Sequence, residues 1–150
     1  MLPWRMSIFS ENALAVVIAF LLGAAIGAER EWRRHPGGLR SCALVAAAAC
    51  VFARIAVAHG GANPGAAFGA IATGVGFLGA GVILRRGATV RGLSTAATFW
   101  AVAAVGTAAG LHEFGMSLGL TLLVFSAHVA LRPLSAWIEK AAPPAESGPR

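Results

Sequence analysis

Five apolar runs, residues 12–28, 41–58, 65–84, 93–110 and 114–131, occupy most of the chain and are separated by short polar or glycine-rich breaks. A helix rises about 1.5 Å per residue, so roughly 20 apolar residues cross a hydrocarbon core about 30 Å thick. All five runs are 17 to 20 residues long, and the shorter ones suit a thin bilayer or flanking side chains that snorkel. The expected fold is an all-α integral membrane protein with about five transmembrane helices. Composition excludes the soluble alternative. Charged residues make up 12% of the chain and apolar residues 57%, with no Asp or Tyr, whereas a soluble domain carries roughly 25% charge.

The basic residues order these spans across the bilayer. Arg30, Arg33, Arg34 and Arg40 fall in the first loop, Arg85, Arg86 and Arg91 in the third, and Arg132, Lys140 and Arg150 after the fifth span. The loop at 59–64 and the one around His112 and Glu113 carry no Lys or Arg, and the N-terminal segment 1–11 carries only Arg5. The positive-inside rule therefore predicts the N-terminus outside and the C-terminus in the cytoplasm. Residues 132–150, rich in proline towards their end, read as a cytoplasmic disordered tail. Arg5 before an apolar core also fits a signal peptide, but Glu11 favours a retained first helix. The net charge of +6 lies in loops beside spans rather than on a basic helical stripe, so nucleic-acid binding is not expected.

Within the spans a few residues stand out. The third contains Gly65 and Gly69, then Ala72, Gly76 and Ala80, each four apart. Such small residues let helices approach closely, which predicts a tightly packed central helix. The alternative is a helix broken at Gly74, Gly76, Gly79 and Gly81, with freed carbonyls lining a polar cavity. Arg54 is the one charge well inside a span and is expected to snorkel outward. His128 has no evident acidic partner and reads as a packed or interfacial histidine. Glu29, where the first span meets the loop, is within reach of Arg30, Arg40 or a base of the third loop, as a solvated pair or as a clasp. Trp32 reads as an interfacial anchor. Cys42 and Cys50 lie about 12 Å apart along one helix, too far for a disulfide, and read as small buried residues.

No paired carboxylates, phosphate loop or cofactor fingerprint occurs. The chain is read as a non-enzyme, with no cofactor, no catalytic residue and no metal site.

Three segments in order resemble the membrane domain of the MgtC/SapB family: Gly27-Ala-Glu29-Arg30 through Gly38-Leu39-Arg40, Gly76-Phe77-Leu-Gly79-Ala-Gly81, and Arg91-Gly92-Leu-Ser-Thr95-Ala-Ala97 followed by Trp100. The resemblance covers about residues 11–130. It implies a bacterial inner-membrane protein of around five spans, associated with magnesium homeostasis and, in pathogens, with survival inside host cells. Some members are linked to restraint of the membrane-embedded ATP synthase. The motif residues Gly76, Phe77, Gly79, Gly81, Arg91, Gly92, Thr95 and Trp100, with the charged set Glu29, Arg30 and Arg40, are the candidate working positions. The chain departs from the pattern at Arg86, where virulence-type members tend to be acidic, at Ser94 in place of Asn or Thr, and at Ala101, where some carry Cys. Many members also have a cytoplasmic regulatory domain after the last span, and none is read here.

Two functions follow as expectations. The first is a regulator linked to magnesium homeostasis or stress adaptation that acts through contacts with another membrane complex; homo-oligomerisation stays open. The second is a transporter or channel for magnesium or a small solute. Mg²⁺ favours carboxylate oxygens and retained water, and no span carries an acidic residue at its middle, which weighs against transport.

Overall fold

The computed structural model describes residues 3–59, 65–86 and 89–141. Five helices follow one another: α1 (Pro3–Trp32), α2 (Leu39–His59), α3 (Gly65–Val82), α4 (Leu93–Gly110) and α5 (Phe114–Ala141). Each contains a stretch long and apolar enough to cross a membrane, bounded by Ser10–Trp32, Leu39–His59, Gly65–Val82, Leu93–Gly110 and Phe114–Ser135. Helices are required there because lipid offers no partners to backbone N–H and C=O groups.

Between α3 and α4, two strands form an antiparallel pair, β1 (Leu84–Arg86) and β2 (Thr89–Arg91), with Arg85 opposite Val90. The third loop is thus a hairpin, a small addition to the all-α reading. It shortens the third helix, which ends at Val82 and not at 84. Gly92 joins β2 to α4 with φ of 96°. A side chain there would run into the carbonyl of Val82, so the left-handed turn and the close approach both require glycine.

The helices are longer than the apolar runs at the two ends. α1 starts at Pro3, and α5 continues to Ala141 through Pro133. Residues 132–141, expected as the start of a disordered tail, are therefore helical. Leu131, Leu134 and Ile138 continue an apolar face at helical spacing, with Arg132, Ser135 and Lys140 among the polar positions. That periodicity outweighs the one backbone donor lost at Pro133. The remaining tail, 142–150, and loop residues 60–64 lie outside the described residues.

The packing centre is α4, not the glycine-rich α3. Ten of the 18 residues of α4 are buried, and it packs against all four other helices. In α3 only Val75 and Gly79 are buried among 18. The seam of closest approach runs along α2, whose Cys42, Ala46, Ala49, Cys50 and Ala53 are fully or almost fully buried at spacings of three and four. Facing it are glycines of the neighbours. A Cβ on Gly23 of α1 would lie 2.6 Å from the carbonyl oxygen of Cys42, and one on Gly110 of α4 2.6 Å from that of Cys50. A side chain on Gly106 would run into the carbonyl of Ala46. Small-against-small contact of this kind is what holds helices together in lipid. By contrast Gly69, Gly74 and Gly81 of α3 face open space, and α3 is one continuous helix. A broken third helix is not what the sequence builds.

Near the far end of the bundle, Arg54 does not snorkel away. It is half-buried, and its Nη1 donates to the carbonyl of Gly110 over 3.4 Å, at the last turn of α4. A cation at a helix C-terminus meets carbonyls that have no partner within the helix.

Candidate functional site

The end of the bundle that carries the arginine loops also carries a buried polar node. Arg30 is on the last turns of α1, and its residue exposure is only 2%. The chain then turns through Arg34 and Gly37, both left-handed at φ of 58° and 74°. That turn sends the carbonyls of Pro36 and Gly37 back at Arg30. Its Nη2 donates to Pro36 O at 2.7 Å and its Nε to Gly37 O at 3.2 Å. Across the bundle, Nη2 also donates to Thr95 Oγ1 at 2.7 Å and Nη1 to Thr98 Oγ1 at 3.0 Å. The two threonines are three apart on α4 and share a face. One guanidinium thus fastens the end of α1, the first loop and the start of α4, using the fork that distinguishes Arg from Lys.

The turn itself is shaped by its neighbours. A side chain at Gly37 would meet the ring of Phe99 at 2.7 Å, and one at Gly38 the carboxylate of Glu31 at 2.7 Å. Glu31 Oε2 accepts the N–H of Leu39 at 2.8 Å, capping the first turn of α2 as a carboxylate suits a helix N-terminus. Cys42 and Cys50 are buried free thiols, and Cys42 Sγ donates to Gly37 O at 3.3 Å.

Beside the node is a cleft of about 310 Å³ between the end of α1 and α5, lined by Glu29, Arg33, His35, His128, Leu131 and Arg132 among others. Among the described residues, the ion pairs of Glu29 are with neither Arg30 nor Arg40. It forms an ion pair with Arg33, one turn on, and its Oε2 lies 3.2 Å from His128 Nδ1. His128 therefore has an acidic partner after all. Its Nε2 is 3.1 Å from Thr98 Oγ1, while the Thr98 hydroxyl also lies 2.8 Å from the carbonyl of Ser94. If that hydroxyl hydrogen goes to Ser94, Nε2 must supply the hydrogen for its own contact, since Thr has only one to give. Thr98 links Arg30 to His128, so the node and the cleft form one network.

Of the motif positions read from sequence, Glu29, Arg30 and Thr95 converge here. The others separate. Arg40 is exposed on the first turn of α2, and Arg91 is exposed on β2. Gly76 and Gly79 face α4, the second against Ala96, where a Cβ would sit 3.3 Å from the alanine side chain. Phe77 is 81% exposed, Trp100 54%, and Gly81 faces open space. The Gly-Phe-Leu-Gly-Ala-Gly segment thus lies on the lipid-facing flank, away from the cleft. Thr98, His128 and Arg33 were not among the candidate positions. Thr98, one turn after Thr95, was the signal available in sequence; His128 could be matched to Glu29 only by knowing that α5 lies against α1.

The flank that α3 presents is undercut on both sides. An apolar groove of about 710 Å³ separates it from α2, lined by residues such as Leu44, Phe52, Ile71, Gly74 and Leu78. A smaller one, about 250 Å³, lies towards α4 and α5 beneath Trp100 and Met116.

These features fit what known proteins resemble. A family model described as the MgtC family matches residues 16–137. Protein MgtC of Salmonella typhimurium strain LT2 is 47% identical over 119 residues, covering 79% of this chain and 52% of that protein. An uncharacterized protein of Synechocystis is 43% identical over 131 residues, 87% of this chain and 56% of its own length. Protein MgtC of Brucella abortus strain 2308 is 40% identical over 126 residues, 83% and 53% respectively. The chain spans a little over half the length of these curated relatives. No solved structure matches it. With the family model covering the bundle from α1 to α5, the chain belongs to the MgtC family and is a multi-pass membrane protein.

Proposed function

We propose that this protein is a non-enzymatic regulator, set in a bacterial inner membrane with its arginine-rich end in the cytoplasm, that acts by lateral contact with another membrane protein. The observation that carries this reading is the state of α3. It is apolar but for Thr73, whose hydroxyl donates to the carbonyl of Gly69 within the helix, yet only two of its 18 residues are buried, and Gly69, Gly74 and Gly81 leave room at its surface. A helix from a partner could approach such a face closely, where packing in place of the hydrophobic effect drives association. The groove between α2 and α3 adds an apolar seat beside it. The link to magnesium homeostasis, and a proton-translocating ATP synthase as the partner class, come from the family resemblance.

The test is photo-crosslinking from Phe77 or Leu78 in native membranes, followed by identification of the captured complex. Gly74→Leu is the informative variant, because a Cβ there meets nothing within 4 Å. Gly79→Leu is unsuitable, since it would push against Ala96 and disturb the bundle's own packing. Capture that survives Gly74→Leu removes the α3 face from the proposal. Magnesium flux in liposomes of purified protein, with no partner captured, would favour the transport reading instead.

A further inference from the structure

We propose that the cleft between α1 and α5 binds a phosphate group, either free inorganic phosphate or the headgroup of an anionic phospholipid. The argument begins with charge. Arg30, buried at the edge of the cleft, is satisfied only by neutral oxygens, two carbonyls and two threonine hydroxyls. These use four of its five N–H groups, leaving one on Nη1. Glu29 is matched by Arg33 and His128. Arg132, on the rim, has no carboxylate partner among the described residues. Three guanidinium charges therefore line a cleft that contains one carboxylate. With an apolar wall at Leu131 and lipid alongside, that surplus is poorly screened and favours an anion.

The open donors specify the anion. The Glu29 side chain is 7% exposed and is held by its ion pairs with Arg33 and His128, so the unmatched positive charge of the cleft belongs to Arg30 and Arg132. A ligand that completes the site must bring negative charge and acceptor oxygens for these two. A phosphate group brings both, and its oxygens match the planar fork of Arg. At about 310 Å³ the space is at the lower end of the range for ligand pockets, roughly 300–1,000 Å³. Its α5 wall, around Leu131 and Arg132, falls in the last turns of the Phe114–Ser135 span. That is the depth at which headgroups meet acyl chains.

The experiment uses the full chain purified in a mild detergent. Native mass spectrometry compares retention of phosphatidylglycerol with phosphatidylcholine, and thermal unfolding is followed with and without inorganic phosphate. Arg132→Gln removes the rim charge at an exposed position that makes no ion pair among the described residues. Arg40→Gln is the control, exposed at the same end but outside the cleft. Selective phosphatidylglycerol retention by the wild type, reduced about tenfold or more in Arg132→Gln as for a lost charged hydrogen bond and kept in Arg40→Gln, supports a lipid headgroup. A rise in melting temperature with inorganic phosphate, lost only in Arg132→Gln, supports free phosphate. The proposal is overturned if neither probe separates Arg132→Gln from the wild type, or if Arg40→Gln weakens binding as much, which would mean diffuse attraction.

Discussion

The Nη2 atom of Arg30 donates to Thr95 Oγ1 across 2.7 Å, so the last turns of the first helix are fastened to the beginning of the fourth, 65 residues later in sequence. The same guanidinium also holds Thr98 of the fourth helix and the carbonyls of Pro36 and Gly37 in the first loop.

Arg30→Ala is therefore expected to be among the most disruptive single changes. It strands four acceptors on two segments at once, the first loop and α4, and breaking a buried charged network by removing one member costs about 3–5 kcal/mol. Arg30→Lys should recover only part of this loss, because an ammonium cannot reproduce the fork. Thr95→Val, which removes one acceptor and keeps the shape, should cost about 1–3 kcal/mol. Thermal unfolding in detergent, monitored by size-exclusion recovery, ranks the three. An Arg30→Ala protein as stable as the wild type would mean that the node does not hold the bundle.

Glycine positions should divide by helix. Gly106→Ala pushes a methyl into the carbonyl of Ala46, where neither backbone can retreat without separating α2 from α4. Gly69→Ala meets nothing within 4 Å and replaces a poor helix former with a good one, worth up to about 1 kcal/mol. The first should lose folded protein; the second should match or exceed the wild type. The same unfolding assay decides, and equal behaviour of the two would contradict the packing described here.

The different fates of these glycines also show what was legible in the sequence. Five spans could be read from length and polarity because lipid imposes one solution on each run separately. Which helix sits at the centre is a matter of pairing, and the richest glycine cluster pointed to the wrong one. The α2 seam is built from alanines and cysteines, residues that look like generic apolar filler until Gly23, Gly106 and Gly110 are known to face them. Arg30 and Thr95 were recognised as motif residues without their bond being evident. His128 lacked a visible partner because Glu29 is 99 positions away in sequence, although the two atoms are 3.2 Å apart in the fold. The helical start of the tail was obscured by Pro133, which is tolerated at the cost of one backbone hydrogen bond.

Glu29 and His128 should be energetically coupled. Glu29→Gln and His128→Asn each remove one side of the pair, and the double variant should be less damaged than the sum of the two. Neighbours in one network show interaction energies of about 0.5–3 kcal/mol, and this half-buried pair is expected near the middle of that range. A double-mutant cycle on unfolding free energy measures it. Strict additivity would mean that the contact between α1 and α5 contributes nothing.

The two ends of the bundle should be on opposite sides of the membrane, and two exposed residues can report which is which. Arg91, on β2, belongs to the arginine-rich end, while Glu113 lies in the turn between α4 and α5 at the other. By the positive-inside rule, the excess of Lys and Arg near the first end predicts that this end is cytoplasmic. Arg91→Cys should then be shielded from a membrane-impermeant maleimide added to intact spheroplasts, and Glu113→Cys should react. Background labelling is expected to be low, because Cys42 and Cys50 are both fully buried in the bundle. Lysis should expose Arg91→Cys as well, which separates a shielded cysteine from an unreactive one. Reaction at Arg91→Cys in intact cells, with none at Glu113→Cys, would invert the protein and move the phosphate-binding cleft to the outer face.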